Sequence, residues 1–262
     1  MNSSDWVITQ EHLASLDSIV VRHATSEAEC LGVFCHGFGA PGDDLAGLAE
    51  WMINECKSLD VKPLLVFPAA PIDLSDDDMP GGRAWWRLNM AKLMQANMTN
   101  SFDDIRSEIP EGIDQARTQL VEFVEAAQLK FGMNDKPFIL GGFSQGAMLA
   151  VDIYLHAPQN PMGLFAWSSA LVNKGDWKER IKSEEFQNRL KQNPHPTYFQ
   201  SHGTSDTVLS LKNGQRLDSF LQSAGMKGKM ITFSGGHEIP PQVILGTADY
   251  IKSLLSTASQ TV

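Results

Sequence analysis

The sequence predicts an α/β fold with a mostly parallel sheet that is flanked by helices on both faces. Short apolar runs alternate with longer amphipathic segments along the whole chain, and this alternation is typical of strand–helix repeats around a parallel sheet. Some of the apolar runs are continuous, as in PLLVF at 63–67, which is typical of strands buried on both faces. In such sheets the ligand site lies at the carboxyl ends of the strands. The residues that follow each strand are therefore the candidates for function.

The individual elements follow from these patterns. Apolar runs predict the strands, and segments with helical periodicity predict the helices. The first predicted helix has acidic residues in its first turn, and these support the prediction because they complement the helix dipole. The predicted strands are 18–22, 31–35, 63–67, 138–141, 163–167, 197–202 and 230–234, and the predicted helices are 43–58, 111–131, 145–156, 176–192, 211–224 and 241–255.

Composition narrows the classes of partner. The chain has 262 residues and a formal net charge of −10, so we expect no binding to nucleic acid. It has no run of about 18 apolar residues and no recognisable secretory signal, so we expect no stable membrane insertion and no export. Cys30, Cys35 and Cys56 show no C-x-x-C spacing. We interpret them as free thiols of a reducing compartment and expect a cytoplasmic protein.

One domain over residues 1–262 is expected, because no repeat or linker interrupts the chain. Residues from about 72 to 110 are predicted to form a lid-like insertion, since loops of this length are usually lids or binding segments. Within it, Trp86, Met90, Met94 and Met98 are spaced by four. This stripe indicates either an adaptable wall for an acyl chain or ordinary helix packing. Three adjacent acids at 76–78 are interpreted as solvated, and no metal or cofactor motif is found.

The pentapeptide GFSQG at 142–146 is the strongest functional signal. It matches G-x-S-x-G and lies between a predicted strand and a predicted helix. Glycines stand two positions before and after the serine because side chains there would collide in so sharp a turn. The turn places the Ser144 hydroxyl at a helix N-terminus, where developing negative charge is favoured. Ser144 is therefore the predicted nucleophile; an ordinary helix-capping serine is the alternative.

A serine nucleophile needs a general base, usually a histidine that a carboxylate holds in place. In hydrolases with this elbow the chain order is Ser, acid, His. His237 is the predicted base, because it follows a strand and a Gly-Gly turn. Three other histidines also lie beyond the serine, but one falls within a helix, one in a Pro-flanked loop and one ahead of any plausible acid. These are His156, His195 and His202.

Asp206 is the predicted acid. It follows the strand at 197–202, one strand–helix–strand step before His237, so neighbouring strands would present acid and base side by side. Asp176 and Asp218 are the rivals, but they fall at the start and in the middle of predicted helices. The carboxylate would fix the tautomer of the histidine and stabilise its cation.

The turn after the second strand supplies the predicted oxyanion hole. HGFGA at 36–40 resembles the H-G-x-G turn that contributes one backbone donor, and the residue after the nucleophile contributes the other. We assign the backbone N–H groups of Phe38 and Gln145 to these roles. His36 is interpreted as a hydrogen-bonding residue of the turn and not as a catalytic residue or a metal ligand.

Six segments together resemble the phospholipase/carboxylesterase family, which includes acyl-protein thioesterases and small bacterial carboxylesterases. The resemblance runs from about residue 30 to 250 and implies a cofactor-free, single-domain α/β-hydrolase that cleaves esters or thioesters. The family's catalytic and oxyanion residues fall on those assigned above. One departure is that members commonly read HG-L-GD at the oxyanion turn; another is the longer, Met-rich segment before the long helix. The segments are HGFGAPGDDL, FPAAP, RAWW, GGFSQGAMLA, SHGTSD and SGGHEIP.

The predicted function is that of a serine carboxylesterase acting on carboxylic esters of short to medium acyl chains through an acyl-enzyme. Trp85, from the match to the family's R-A-W, and Val208, just after the acid, are the candidate substrate-binding residues. The expected partner is a small ester or an acylated substrate, and nothing indicates an oligomeric state. An acyl-protein thioesterase and a lysophospholipase remain open. A non-catalytic hydrolase-fold binding protein is the alternative from another class.

Overall fold

A computed structural model describes residues 5–58, 61–88, 109–156, 161–192 and 196–258. Ten strands and seven helices of more than five residues lie in these ranges. The strands are β1 (Trp6–Leu13), β2 (Leu16–His23), β3 (Cys30–Cys35), β4 (Pro63–Pro68), β5 (Ile72–Asp73), β6 (Arg83–Ala84), β7 (Phe138–Phe143), β8 (Gly163–Trp167), β9 (Thr197–Gly203) and β10 (Lys227–Phe233). The helices are α1 (Ala49–Ser58), α2 (Ile113–Phe131), α3 (Gln145–His156), α4 (Lys174–Arg180), α5 (Glu184–Gln192), α6 (Leu211–Ser223) and α7 (Pro241–Ala258).

Eight strands form one sheet in the order β1-β2-β4-β3-β7-β8-β9-β10. The six strands from β4 to β10 in this order run parallel, and β1 and β2 are antiparallel to their neighbours. The register aligns the carboxyl ends of the parallel strands: Phe143 pairs with Trp167, and Trp167 pairs with Ser201. The chain therefore leaves β3, β7, β8, β9 and β10 along one edge of the sheet, where the loops meet.

Each face of the sheet carries its own hydrophobic core. On one face the sheet packs against α2 and α3, with Leu120, Phe123 and Leu149 buried. On the other face it packs against α1 and α7, with Met52 and Ile251 buried. This arrangement confirms the predicted α/β class, with a mostly parallel sheet between two layers of helices. Among the described residues, no helix combines the length and the apolar character that crossing a membrane would need.

Several elements of the main sheet and its helices differ from the sequence prediction. β1 was not predicted, because half of its residues are polar and its alternation is weak at a partly exposed edge of the sheet. The predicted helix 176–192 is two helices, since the Ser183 hydroxyl accepts the N–H of Phe186 and starts α5 anew. The predicted helix 43–58 begins as a 3-10 turn at Asp44–Leu48. β10 begins at Lys227, three residues before the predicted strand.

The predicted insertion at 72–110 is described only in part. Its first residues form a small antiparallel pair, β5 with β6, where no strand had been predicted. Trp86 is buried, whereas residues 89–108, which include Met90, Met94 and Met98, lie outside the described residues. Cys30 and Cys35 are buried, and the side chain of Cys56 is not among those described.

Candidate active site

Ser144 stands in the turn between β7 and α3. Its φ of 52° lies in the left-handed region, which is uncommon for a residue with a side chain. Two backbone hydrogen bonds hold it there: its N–H donates to the carbonyl of Trp167 on β8 at 2.9 Å, and its carbonyl accepts the N–H of Met148 at 3.1 Å. Strain of this kind persists only where the surroundings fix the backbone, and it is concentrated at functional sites.

The two glycines of the elbow allow it to lie directly on the end of β3. A Cβ at Gly142 would come within 2.1 Å of the Cys35 carbonyl oxygen, and a Cβ at Gly146 within 2.2 Å of the same atom. Both distances are far shorter than any real contact. The predicted collision is therefore real, and its partner is the backbone of the neighbouring strand.

His237 and Asp206 form a close pair at the adjacent strand ends. Nδ1 of His237 lies 2.7 Å from Oδ2 of Asp206, although 31 residues separate them in sequence. The imidazole also packs on the ring of Phe143, with ring centroids 4.6 Å apart. Because Phe143 directly precedes Ser144, this contact brings the histidine to the elbow. A hydrogen bond from Nδ1–H to the carboxylate fixes the tautomer that leaves a lone pair on Nε2.

The carboxylate of Asp206 is buried and well supplied with donors. Its Oδ1 accepts the backbone N–H groups of Val208 at 2.9 Å and Leu209 at 2.8 Å. Burial raises the pKa of Asp206, but the hydrogen bonds from His237 and Leu209 outweigh it and leave the pKa below its ordinary value. The acid therefore stays ionised, as an orienting carboxylate must.

Neither of the rival histidines that the structure describes pairs with Asp206 as closely as His237 does. His202 is fully buried beside the acid: its Nε2 lies 2.7 Å from the carbonyl of Leu209 and 3.5 Å from Oδ2 of Asp206. The bond to Leu209 fixes the loop whose amides bind Asp206. His156 lies at the end of α3, with Nε2 3.0 Å from Asp176. His195 lies outside the described residues. Of the rival acids, Asp176 pairs with His156, and Asp218 accepts the hydroxyl of Tyr198 at 2.6 Å.

The predicted oxyanion turn faces the elbow. A Cβ at Gly37 would lie 3.4 Å from the Cβ of Ser144, so the turn that carries Phe38 is adjacent to Ser144. His36 stabilises this turn: its Nε2 accepts the N–H of Ala70 at 2.9 Å, so its Nδ1–H donates to the Gly37 carbonyl at 2.8 Å. Burial lowers the pKa of His36, which keeps the ring neutral.

The two candidate substrate-binding residues have different surroundings. Val208, two residues after Asp206, is 40% exposed, whereas Trp85 is only 1% exposed. The indole N–H of Trp85 donates to the carbonyl of His36 at 2.9 Å. Sequence reasoning missed a related feature, the side chain of Gln145, which is buried and bonds to the backbone of residues 85 and 86. The signal in the sequence is a polar side chain directly after Ser144, at the first position of a helix whose residues are otherwise mostly apolar.

One group in the described part of the chain has the composition of a metal site: Asp152, His156 and Asp176. Both carboxylate oxygens of Asp152 already have partners, because Oδ2 lies 2.5 Å from Nε of Arg117 and Oδ1 accepts the indole N–H of Trp177 at 2.7 Å. The guanidinium neutralises the charge that a cation would need. We interpret the group as an ion-pair network around the buried Asp152.

Comparison with known proteins identifies the family and the fold to which this chain is similar. The sequence matches the profile of the Phospholipase/Carboxylesterase family over residues 16–255. Acyl-protein thioesterase 1 of Candida albicans is 23% identical over 248 residues, which is 92% of this chain and 99% of that protein. The crystal structure of esterase PE8 has a TM-score of 0.69 at 21% identity, covering 95% of this chain and 99% of that one. Acyl-protein thioesterase 2 of Zea mays has a TM-score of 0.65 at 21% identity, covering 91% and 98%.

The family match spans nearly the whole chain, and the solved structures share its fold. Both findings confirm the α/β-hydrolase fold and the family resemblance predicted from the sequence motifs. They also place the chain among hydrolases, so the non-catalytic alternative has no support. This chain therefore belongs to the phospholipase/carboxylesterase family and is a hydrolase with the α/β-hydrolase fold.

Proposed function

We propose that the protein is a serine carboxylesterase that hydrolyses carboxylic esters of short to medium acyl chains. The observation that carries this proposal is the pairing of His237 with Asp206 at 2.7 Å, with the imidazole against Phe143, the residue that directly precedes the strained Ser144. A nucleophile, a base within reach of it and an acid that orients the base are the groups that acyl transfer needs.

In the proposed mechanism, the Ser144 hydroxyl attacks the acyl carbonyl while Nε2 of His237 takes its proton. The carbonyl electron pair moves onto oxygen and forms a tetrahedral oxyanion. When the carbonyl reforms, the bond to the alcohol breaks, and the histidine returns the proton to the leaving oxygen. Water then attacks the acyl-enzyme with the same histidine as base, which releases the acid and restores the serine. Asp206 stabilises the imidazolium at each step and does not take the proton.

The backbone N–H groups of Phe38 and Gln145 are the proposed donors to the oxyanion. Gly37 lies against Ser144, and Gln145 begins α3 immediately after it. The two amides therefore belong to the two segments that border the nucleophile. Loss of one such donor reduces transition-state stabilisation by about 3–4 kcal/mol.

Substrate contact is proposed for Val208 and Trp85. The exposure of Val208 beside the acid supports a contact with the acyl or alcohol group, and the buried Trp85 would form the base of the pocket. One domain over 1–262, with residues from about 72 to 110 as a lid, remains part of the proposal. A cytoplasmic location is also part of the proposal, supported by the buried thiol of Cys35.

Covalent labelling tests the nucleophile. We expect the wild-type protein to react with a fluorophosphonate probe and Ser144→Ala to lose all labelling, because an activated serine hydroxyl attacks the phosphorus, displaces fluoride and forms a phosphonate ester. Ser219→Ala, which changes an exposed serine on α6, is the matched control and should label normally. Persistent labelling of Ser144→Ala would place the nucleophile elsewhere and overturn the proposal.

A thioesterase acting on acylated protein is the second candidate, because the curated relatives carry the name acyl-protein thioesterase 1. A substrate series separates the two: p-nitrophenyl esters from acetate to palmitate, an S-palmitoylated peptide and a lysophospholipid. We expect the highest kcat/KM on the short and medium esters. A value about tenfold higher on the S-acyl peptide would replace the carboxylesterase proposal with the thioesterase, since specificity is a ratio of kcat/KM values.

A further inference from the structure

We infer that residues 83–86 form a clamp that joins the two halves of the oxyanion hole, with Trp85 and the side chain of Gln145 as its positioning residues. The inference rests on the proposed function. It assigns to Trp85 a task besides the proposed contact with substrate, and the same task to the side chain of Gln145: they set the separation between the oxyanion turn and the nucleophile elbow.

Three hydrogen bonds tie the clamp to the oxyanion turn. The N–H of Gly39 donates to the carbonyl of Arg83, and the N–H of Arg83 donates to the carbonyl of Ala40, each at 2.9 Å. The indole N–H of Trp85 donates to the carbonyl of His36, also at 2.9 Å. These bonds hold the turn on both sides of Phe38, whose N–H is one of the proposed donors.

Two further hydrogen bonds tie the clamp to the elbow, and both use the amide of Gln145. Its Oε1 accepts the backbone N–H of Trp85 at 3.0 Å, and its Nε2 donates to the carbonyl of Trp86 at 2.8 Å. The same residue carries the second proposed oxyanion donor on its backbone. The side chain of Gln145 thus connects its own amide, through the clamp, to the turn that holds the other donor.

The chemistry of the position explains why a glutamine stands there. The backbone of residues 85 and 86 offers one donor and one acceptor, and a carboxamide is the neutral side-chain group that satisfies both. Gln145, Trp85 and Trp86 are each 1% exposed. Water does not replace a lost bond at such a site, so each missing partner leaves a buried polar group unpaired.

This connection matters because the two donors act only when they point at the same oxygen. An oxyanion hole stabilises the transition state when both N–H groups lie about 2.7–3.1 Å from the developing charge. A shift of about 1 Å in one half can reduce the rate about 100-fold while substrate still binds. Loss of the clamp should therefore affect the tetrahedral state far more than the ground state.

The test uses Trp85→Phe, which removes the indole donor but keeps an aromatic ring, and Gln145→Met, which keeps the volume but removes both bonds. For each we expect kcat and kcat/KM on p-nitrophenyl butyrate to fall about 10- to 100-fold, with KM within about threefold. The inhibition constant of a trifluoromethyl ketone, whose adduct with the serine carries an oxyanion, should rise by the same factor. The factor by which kcat falls in the double variant should be smaller than the product of the factors in the two single variants, because both residues belong to one connection.

Trp177→Phe is the matched control. It also deletes a buried indole donor, the one to Asp152, but lies outside the clamp, and it should lower the unfolding temperature without changing kcat or the inhibitor constant. Gln145→Glu, which keeps an acceptor for Trp85 and loses the donor to Trp86, takes the place of Gln145→Met if the latter does not fold.

The outcomes separate the two proposals. Wild-type protein that neither hydrolyses esters nor reacts with the ketone or a fluorophosphonate overturns the proposed function, and the clamp with it. Active wild-type protein with Trp85→Phe and the Gln145 variants unchanged in kcat and inhibitor affinity overturns the clamp alone. So does a loss seen only in KM, or a loss that Trp177→Phe shares, because it reports binding or general stability instead.

Discussion

The carboxylate of Asp206 accepts hydrogen bonds from His237 and from the backbone N–H groups of Val208 and Leu209. These donors keep its pKa low even though the group is buried. Protonation of Asp206 is therefore shifted to more acidic pH than for an ordinary aspartate. We therefore expect Asp206 to stay ionised in mildly acidic solution, so that its protonation does not account for a loss of activity there.

Asp206→Asn tests the orienting role at this scale. An amide offers Nδ1 a donor in place of an acceptor and so favours the tautomer whose Nε2 already carries a proton. By analogy with other serine hydrolases, kcat should fall about 10⁴-fold at neutral pH. Stopped-flow ester hydrolysis measures kcat. The control is Asp218→Asn, which changes an acid that is bonded to Tyr198 on another element. A loss of less than tenfold in Asp206→Asn would contradict the assignment.

At the scale of elements, the elbow depends on a close approach of α3 and β7 to the end of β3. Gly142 and Gly146 both lie against the Cys35 carbonyl. Neither has a positive φ, so the requirement is space. Glycine is required at both positions because the backbone of β3 occupies the space that a Cβ would need. The strained φ of the turn is found at Ser144 alone of these three residues.

Gly146→Ala should destabilise the fold for this reason. The added methyl would meet backbone, which cannot move as a flexible side chain can, and overpacking of this kind lowers the free energy of unfolding by about 1–3 kcal/mol. Gly175→Ala is the matched control: that glycine is in α4 with no atom within 4 Å of the added Cβ, and alanine should raise the free energy of unfolding by about 0.5–1 kcal/mol. Urea unfolding measures both. A Gly146→Ala variant as stable as wild type would contradict the packing argument.

At the scale of the whole molecule, aligned strand ends bring together residues from five loops. Two of the buried groups there, His36 and His202, have a pKa lowered first of all by burial. Because the unfolded chain has ordinary histidines, it takes up protons in mildly acidic solution more readily than the folded protein. The contribution to stability is therefore complete above the ordinary pKa of about 6.5 and declines as pH falls below it.

The free energy of unfolding should accordingly fall between about pH 6.5 and 5, by at most about 1.4 kcal/mol per pH unit for each of the two histidines. His202→Gln and His36→Gln should each flatten this dependence. The measurement is urea unfolding at half-unit pH intervals. Equal slopes for His202→Gln and wild type would show that the buried ring contributes no such linkage.

The sequence by itself determined the fold class, most of the elements and the family, because buried strands, amphipathic helices and the GFSQG turn leave local patterns. It also supplied the proposed positions of Ser144, Asp206 and His237, through their order and their places after strands. It missed β1, whose alternation is weak at an exposed edge, and the break at Ser183, where one hydroxyl restarts a helix.

Only the tertiary structure decided what Trp85 and the amide of Gln145 contact, and that His237 lies against Phe143. These contacts join residues that are 49 to 94 positions apart in the chain, and no local pattern encodes such a distance. Their physical origin is the parallel sheet: it aligns the carboxyl ends of distant strands at one edge, so that loops unrelated in sequence share the same few ångströms.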